Sequence, residues 1–259
     1  MDAVQSNGWP VYSSVRHEPE MHVNSNVPDA ASHTRARLGQ RIGWAIVWLV
    51  LAMISFNFLL TVYGKYHHPD PGSYTMFWSR RGWLWTHLAG GALTVVLGPL
   101  QFLTRWPRAY PRLHRWMGRV YMTGLLIACT GATGLIATSP APFEIRSAFA
   151  ATALAWSTTA LVALISIRRG QVGPHRRWMI RNYLVTLSPI TFRILLQGQI
   201  AMGLAPSPAT IATLLWLSWL LPLLVYEGGH RMVALMRATS VKKARTQVPG
   251  SPRVDIGSA

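Results

Sequence analysis

The stretch LWTHLAGGALTVVLGPLQFL, Leu84–Leu103, decides the class of fold. It carries no acidic residue, no lysine and no arginine. At about 1.5 Å of rise per residue, roughly 20 helical residues cross the ~30 Å hydrocarbon core of a bilayer. Five more stretches read the same way: Ile42–Tyr63, Val120–Thr138, Ala148–Ile167, Tyr183–Leu204 and Thr210–Tyr226. They predict an all-α polytopic membrane protein with six transmembrane helices over residues 41–236. Residues 1–40 read as a disordered cytoplasmic tail, because they are polar and hold no apolar core. Residues 237–259 read as a basic disordered tail. Its Lys242-Lys243-Ala244-Arg245 run suits anionic headgroups.

The net charge is +17, a value that can signal nucleic acid. Here half of the residues are hydrophobic, and the basic residues lie between apolar stretches, so nucleic acid is excluded. Of the 25 Lys and Arg residues, 20 fall on one side of the six spans. They include Arg105–Arg119 between spans two and three and Arg168–Arg181 between spans four and five. Only Lys65, Arg80, Arg81 and Arg146 fall on the other side, and Arg193 sits within a span. The positive-inside bias then places both termini in the cytoplasm of a bacterial inner membrane. The single cysteine, Cys129, rules out an intrachain disulfide.

Two basic segments resemble each other. In His114-Arg115-Trp116-Met117-Gly118-Arg119-Val120-Tyr121 and His175-Arg176-Arg177-Trp178-Met179-Ile180-Arg181-Asn182-Tyr183, the Trp, Met, Arg and Tyr recur at an offset of 62. The histidines agree only after a gap of one residue. The same offset carries span two almost onto span four. Two repeated helix hairpins, spans two–three and four–five, therefore predict a four-helix core.

Within this frame some residues could carry chemistry. His87, Gly91, Thr94, Gly98 and Gln101 share a face of span two, which serves either helix packing or a ligand. Gly124, Ala128, Gly131 and Gly134 make a small-residue face on span three. His114 and His175 precede spans three and five. If the repeat axis is real they face each other, and two histidines on facing helices are a common way to hold a b-type haem. They also read as interfacial basic residues beside Arg115 and Arg176. Arg193 lies about midway along span five. A charge there costs about 2.5–3.5 kcal/mol on insertion scales, so it is expected to face a site. Gln197 is one turn on, and Pro189 one turn back would free a backbone carbonyl on the same face. His67, His68 and Asp70 together could bind a metal on the outer side, although adjacent histidines in a loop are usually only solvated.

The two His-Arg-Trp-Met motifs, Arg193 beyond the second, and Gly98-Pro99-Leu100-Gln101-Phe102 after His87 resemble a family of bacterial membrane proteins. It is known as domain of unknown function 2306 (DUF2306), and the likeness covers roughly residues 45–230. It implies the fold and no activity. More weakly, the chain is similar to the six-span b561-type cytochromes, which hold haems between paired histidines on four central helices. That likeness implies one inner haem on His114 and His175. An outer one would need a partner for His87, where the repeat places Phe149.

Three functions are expected from these residues. One is a haem b or quinone-linked electron carrier. Another is a non-enzymatic protein holding a lipid or small anionic ligand near Arg193, Gln197 and Gln101. The third is a transporter, which the lack of carboxylates within the spans disfavours. Whether the chain is an enzyme stays open at this point.

Overall fold

The structure, a computed structural model, describes residues 30–103 and 110–246. The described residues are helical nearly throughout. The elements are α1 (Ala30–Tyr66), α2 (Pro71–Tyr74), a 3-10 turn (Thr75–Arg80), α3 (Arg81–Leu103), α4 (Pro111–Ala137), α5 (Phe143–Arg168), α6 (Val172–Thr186), α7 (Ser188–Ala201) and α8 (Pro208–Thr246). By its contacts the chain divides into Met1–Val47 and Trp48–Ala259. Of the first unit, the described part is the opening of α1. All packing below belongs to the second.

Five helices are long and apolar enough to cross a membrane. The sixth crossing is broken: α6 and α7 meet at a 44° bend. The cause is local. Pro189 has no amide proton to continue the ladder, and it takes one of the first positions of α7, where no such proton is needed. The Leu187 amide donates to the Tyr183 carbonyl at 3.1 Å and also lies near the carbonyl that Pro189 would free, that of Val185. Arg193 gains nothing from it, which corrects the expected polar pocket. Pro99, by contrast, does not end its helix, and α3 runs through it to Leu103.

The helices also outrun the apolar stretches. Residues 30–40, read as tail, are helical from Ala30, and α8 continues past 236 to Thr246. Ala and Arg recur in both extensions, with Leu in the first and Lys in the second, and all of these favour helix without any burial. The tail readings for residues 1–29 and 247–259 fall outside the described residues.

The four helices α3, α4, α5 and α6 form a closed ring of contacts: α3 on α4, α4 on α5, α5 on α6 and α6 on α3. This is the four-helix core of two hairpins. Its centre holds Tyr121, Leu125, Ala128, Trp156, Ala160 and Val185. α8 lies against α5, α6 and α7. Within lipid, apolar side chains gain little by meeting one another, so helices associate by close approach and hydrogen bonds. The α3–α4 seam shows this. A Cβ at Gly90 would stand 2.4 Å from the Ala128 nitrogen, and one at Gly131 would stand 2.3 Å from the His87 nitrogen. The expected face on α4 does pack closely. On α3, however, Gly90 is the contact residue, and a Cβ at Gly91 would meet nothing within 4 Å.

Candidate functional site

At the end of the core that bears the basic loops, α4 and α6 each begin before the apolar stretch does. Pro111 opens α4 and Val172 opens α6. His114 donates its amide to the Tyr110 carbonyl at 3.2 Å, and His175 to the Gln171 carbonyl at 3.0 Å. Each histidine therefore makes the first backbone bond of its helix. Measured from the helix starts the two are equivalent, each the fourth residue of its helix, and the one-residue gap falls between the histidine and the Trp that follows it. The imidazoles lie within electrostatic reach of each other. His175 Nδ1 sits 2.8 Å from the Ala163 carbonyl, so Nδ1 carries the proton and Nε2 the lone pair. His114 Nδ1 is buried and has no hydrogen-bond partner among the described residues. Gln101 reaches the His114 carbonyl at 3.5 Å.

His87 is not brought to this pair. Its Nδ1 donates to the Ala128 carbonyl at 3.0 Å and ties α3 to α4. Ala128 lies fourteen residues beyond His114, roughly 21 Å at 1.5 Å per residue.

Arg193 belongs to a different seam, between α1 and α6–α7. α1 makes no extended backbone contact with any other helix, and reaches the core through side chains. Trp48 stacks on Phe102 with ring centroids 5.4 Å apart. Leu51 and Phe58 pack on Tyr183, Leu187 and Ile190. The Arg193 guanidinium lies over the Phe58 ring, 4.6 Å from its centroid. It is half-buried and has no hydrogen-bond or ion-pair partner among the described residues. Gln197 is exposed. Arg193 and Phe58 each stand eight residues before the end of their helix, about 12 Å from the face opposite the basic loops. The cation is thus displaced from the middle of its span towards that face.

One turn deeper in the same seam, Ser55 of α1 faces Tyr183 of α6. Both side chains are buried, at 6% and 4% exposure, and among the described residues the two hydroxyls have only each other for a partner. The Tyr183 ring passes over Gly98, where a Cβ would stand 2.2 Å from it.

Sequence reasoning missed a network that links α4, α5 and α6. Tyr121 donates to Asn182 Oδ1 at 2.6 Å. Asn182 Nδ2 donates to the Trp156 carbonyl at 2.8 Å and to Thr159 Oγ1 at 3.0 Å. Trp156 Nε1 donates to Thr186 Oγ1 at 2.8 Å. Every member has a partner, so the network fastens the two hairpins together and offers no open site. Asn182 and Thr186, polar and four apart in an apolar stretch, were the available signal. Another missed residue is Arg80, which is buried. It donates to the carbonyls of Met76 and Leu135 at 3.2 and 3.1 Å. Leu135 belongs to the last turn of α4, whose carbonyls lack helical donors and attract a cation. The last acidic residue of the helical region, Glu227, pairs with Arg181 at 2.6 Å. That Arg lies over Trp178.

His67 Nδ1 approaches the carbonyls of Tyr63 and Gly64, and Asp70 caps α2 through the amides of Gly72 and Ser73. Among the described residues no three metal-ligating side chains come together.

No curated protein and no solved structure matches the chain, so the likeness to b561-type cytochromes is not shown. The sequence profile of a family described as "Predicted membrane protein (DUF2306)" matches residues 84–227, which take in the whole four-helix core, α7 and much of α8. With more than half of its length matched, this chain belongs to the DUF2306 family of predicted membrane proteins.

Proposed function

We propose that the chain is a non-enzymatic membrane protein that binds an anionic amphiphile or small anion at Arg193. The observation that carries this reading is the unpaired, half-buried guanidinium within a span. An aromatic face offsets part of its cost, by roughly 0.5–2 kcal/mol, against the several kcal/mol of placing a charge in hydrocarbon. The remainder calls for an anion. The test compares wild type with Arg193→Met and Arg193→Lys, by mass spectrometry of extracted small molecules and by thermal unfolding in detergent. Arg193→Met is expected to keep the fold and lose the bound anion. Arg193→Lys is expected to bind weakly, because an ammonium cannot reproduce the guanidinium fork. Phospholipid in the extract identifies a headgroup, and phosphate or carboxylate alone identifies a free anion. Equal content in all three proteins refutes the site.

A second reading rests on His114 and His175. The electrostatic coupling of the two imidazoles and the Nδ1 bond of His175 support their being the residues that would hold a haem, since a ligating histidine commonly gives its other nitrogen to a carbonyl. A haem b held there would supply one-electron transfer, and a membrane quinone would be its partner. The protein's part would be to fix the His175 ring through Ala163 and to bound the group on its inner side, where Tyr121 meets Asn182 two turns deeper. A sharp b-type visible band in the reduced protein, lost in His114→Ala and His175→Ala and kept in His87→Ala, would establish it. A colourless folded protein after haem-supplemented expression removes it. In either reading the basic loops face the cytoplasm, with both termini on that side.

A further inference from the structure

The α1 seam is polar at one end and apolar at the other, along one face of one helix. From the end opposite the basic loops inward, α1 presents Phe58 beneath the Arg193 guanidinium, then Ser55 opposite Tyr183, then Leu51, then Trp48 on Phe102. Along α1 the residues at the two stations, Phe58 and Ser55, are three apart, a rise of roughly 5 Å, while Arg193 and Tyr183 stand ten residues apart on α7 and α6. The first is a cation with no anion beside it among the described residues. The second is a pair of buried hydroxyls that face each other and have no other partner among the described residues, so at least one hydroxyl proton is left without an acceptor. Buried hydroxyls are nearly always hydrogen-bonded, and leaving one unsatisfied costs about 1–3 kcal/mol.

We propose that this seam is the binding site of one glycerophospholipid, seated with its phosphate on Arg193 and a glycerol ester carbonyl on the Ser55–Tyr183 hydroxyls. The inference rests on the reading of Arg193 above and extends it to a ligand class. The order of groups along the seam matches the order along such a lipid. The phosphate comes first, an uncharged ester oxygen follows within a few ångströms, and acyl chains run on towards Leu51 and Trp48. Each hydroxyl carries a proton that an ester carbonyl can accept. A fatty acid or free phosphate would satisfy Arg193 alone and leave the hydroxyls as they are.

The experiment uses the full chain, delipidated in detergent and titrated with two lipids followed by native mass spectrometry. One is diester phosphatidylglycerol. The other is its diether analogue, which has the same phosphate but no ester carbonyl. Wild type is expected to prefer the diester by about 5- to 10-fold. Ser55→Ala and Tyr183→Phe should each reduce that preference, and the double variant should abolish it while still binding both lipids. Arg193→Met should weaken both lipids alike, by 10-fold or more. If wild type binds diester and diether equally, the carbonyl contact is overturned although the Arg193 site stands. If Arg193→Met binds both as wild type does, the Arg193 site falls and this inference with it. Far-ultraviolet circular dichroism of each variant excludes misfolding as the cause.

Discussion

Gly131→Ala tests the close approach of α3 and α4, and its cost can be worked from the geometry. The added Cβ would stand 2.3 Å from the His87 nitrogen, 2.8 Å from the His87 Cα and 2.8 Å from the Trp83 carbonyl oxygen. All three are backbone atoms, so no side chain can swing aside. Ordinary contact begins near 3.4 Å, and the helices must part by about 1 Å. That displacement also stretches the 3.0 Å bond from His87 to the Ala128 carbonyl beyond hydrogen-bonding range. Overpacking of this kind costs about 1–3 kcal/mol. An interhelical hydrogen bond in a membrane adds about 0.6 kcal/mol, at most ~1.7. The expected loss is about 2–4 kcal/mol. Gly91→Ala is the control. It lies next to Gly90 on the same helix, its Cβ would meet nothing within 4 Å, and it should gain up to ~1 kcal/mol from helix propensity. Reversible unfolding in mixed detergent, followed by circular dichroism, should separate the two variants by roughly 2–5 kcal/mol. If Gly131→Ala lies within 1 kcal/mol of Gly91→Ala, the helices do not meet as described.

Further predictions concern the core, the ion pair and the outer loop. Asn182→Leu removes the partner of Tyr121 and two bonds to α5, and should cost about 2–4 kcal/mol; a double-mutant cycle with Tyr121→Phe should show coupling, and additivity would refute the network. Glu227→Gln breaks a pair whose side chains are 21% and 35% exposed, so its effect on unfolding should stay below about 1 kcal/mol, and a larger loss would show that the pair is shielded from solvent. The Ser73 hydroxyl and amide, with the Gly72 amide, hold the Asp70 carboxyl below its usual range. A depressed carboxylate stabilises its fold above the unfolded value near pH ~4 and stops doing so as pH falls through the lowered one. Protection of the α2 segment in hydrogen exchange should therefore fall below about pH 4. In Asp70→Asn, which still caps the helix but does not titrate, protection should be independent of pH, and equal pH dependence in both proteins would refute the cap.

Hydropathy and charge order made the membrane class, the crossings and the paired hairpins legible in the chain. Long apolar stretches have one stable setting in a cell, and a 62-residue offset in Trp, Met, Arg and Tyr marks a duplicated unit wherever its helices lie. The spacing of Gly124, Ala128, Gly131 and Gly134 likewise announced a close contact, because side chains three and four apart must share a face. Which glycine on α3 would answer it was not legible. Gly90 and Gly91 are 100° apart on the helix, and only the crossing of α3 with α4 chooses between them. Helix starts were misplaced for a related reason: Pro111 and Val172 begin helices in polar sequence, where hydropathy is silent but backbone bonding is not. That correction makes His114 and His175 equivalent. Arg193 was visible as a charge in a span. Its surroundings were not, because the Pro189 break and the side-chain-only contact of α1 determine what stands beside it. Ser55 and Tyr183 lie 128 positions apart, and no local pattern ties a serine in one apolar stretch to a tyrosine in another. Their meeting is a property of the tertiary structure alone, since only the packing of α1 against α6 puts two hydroxyls in one dry place.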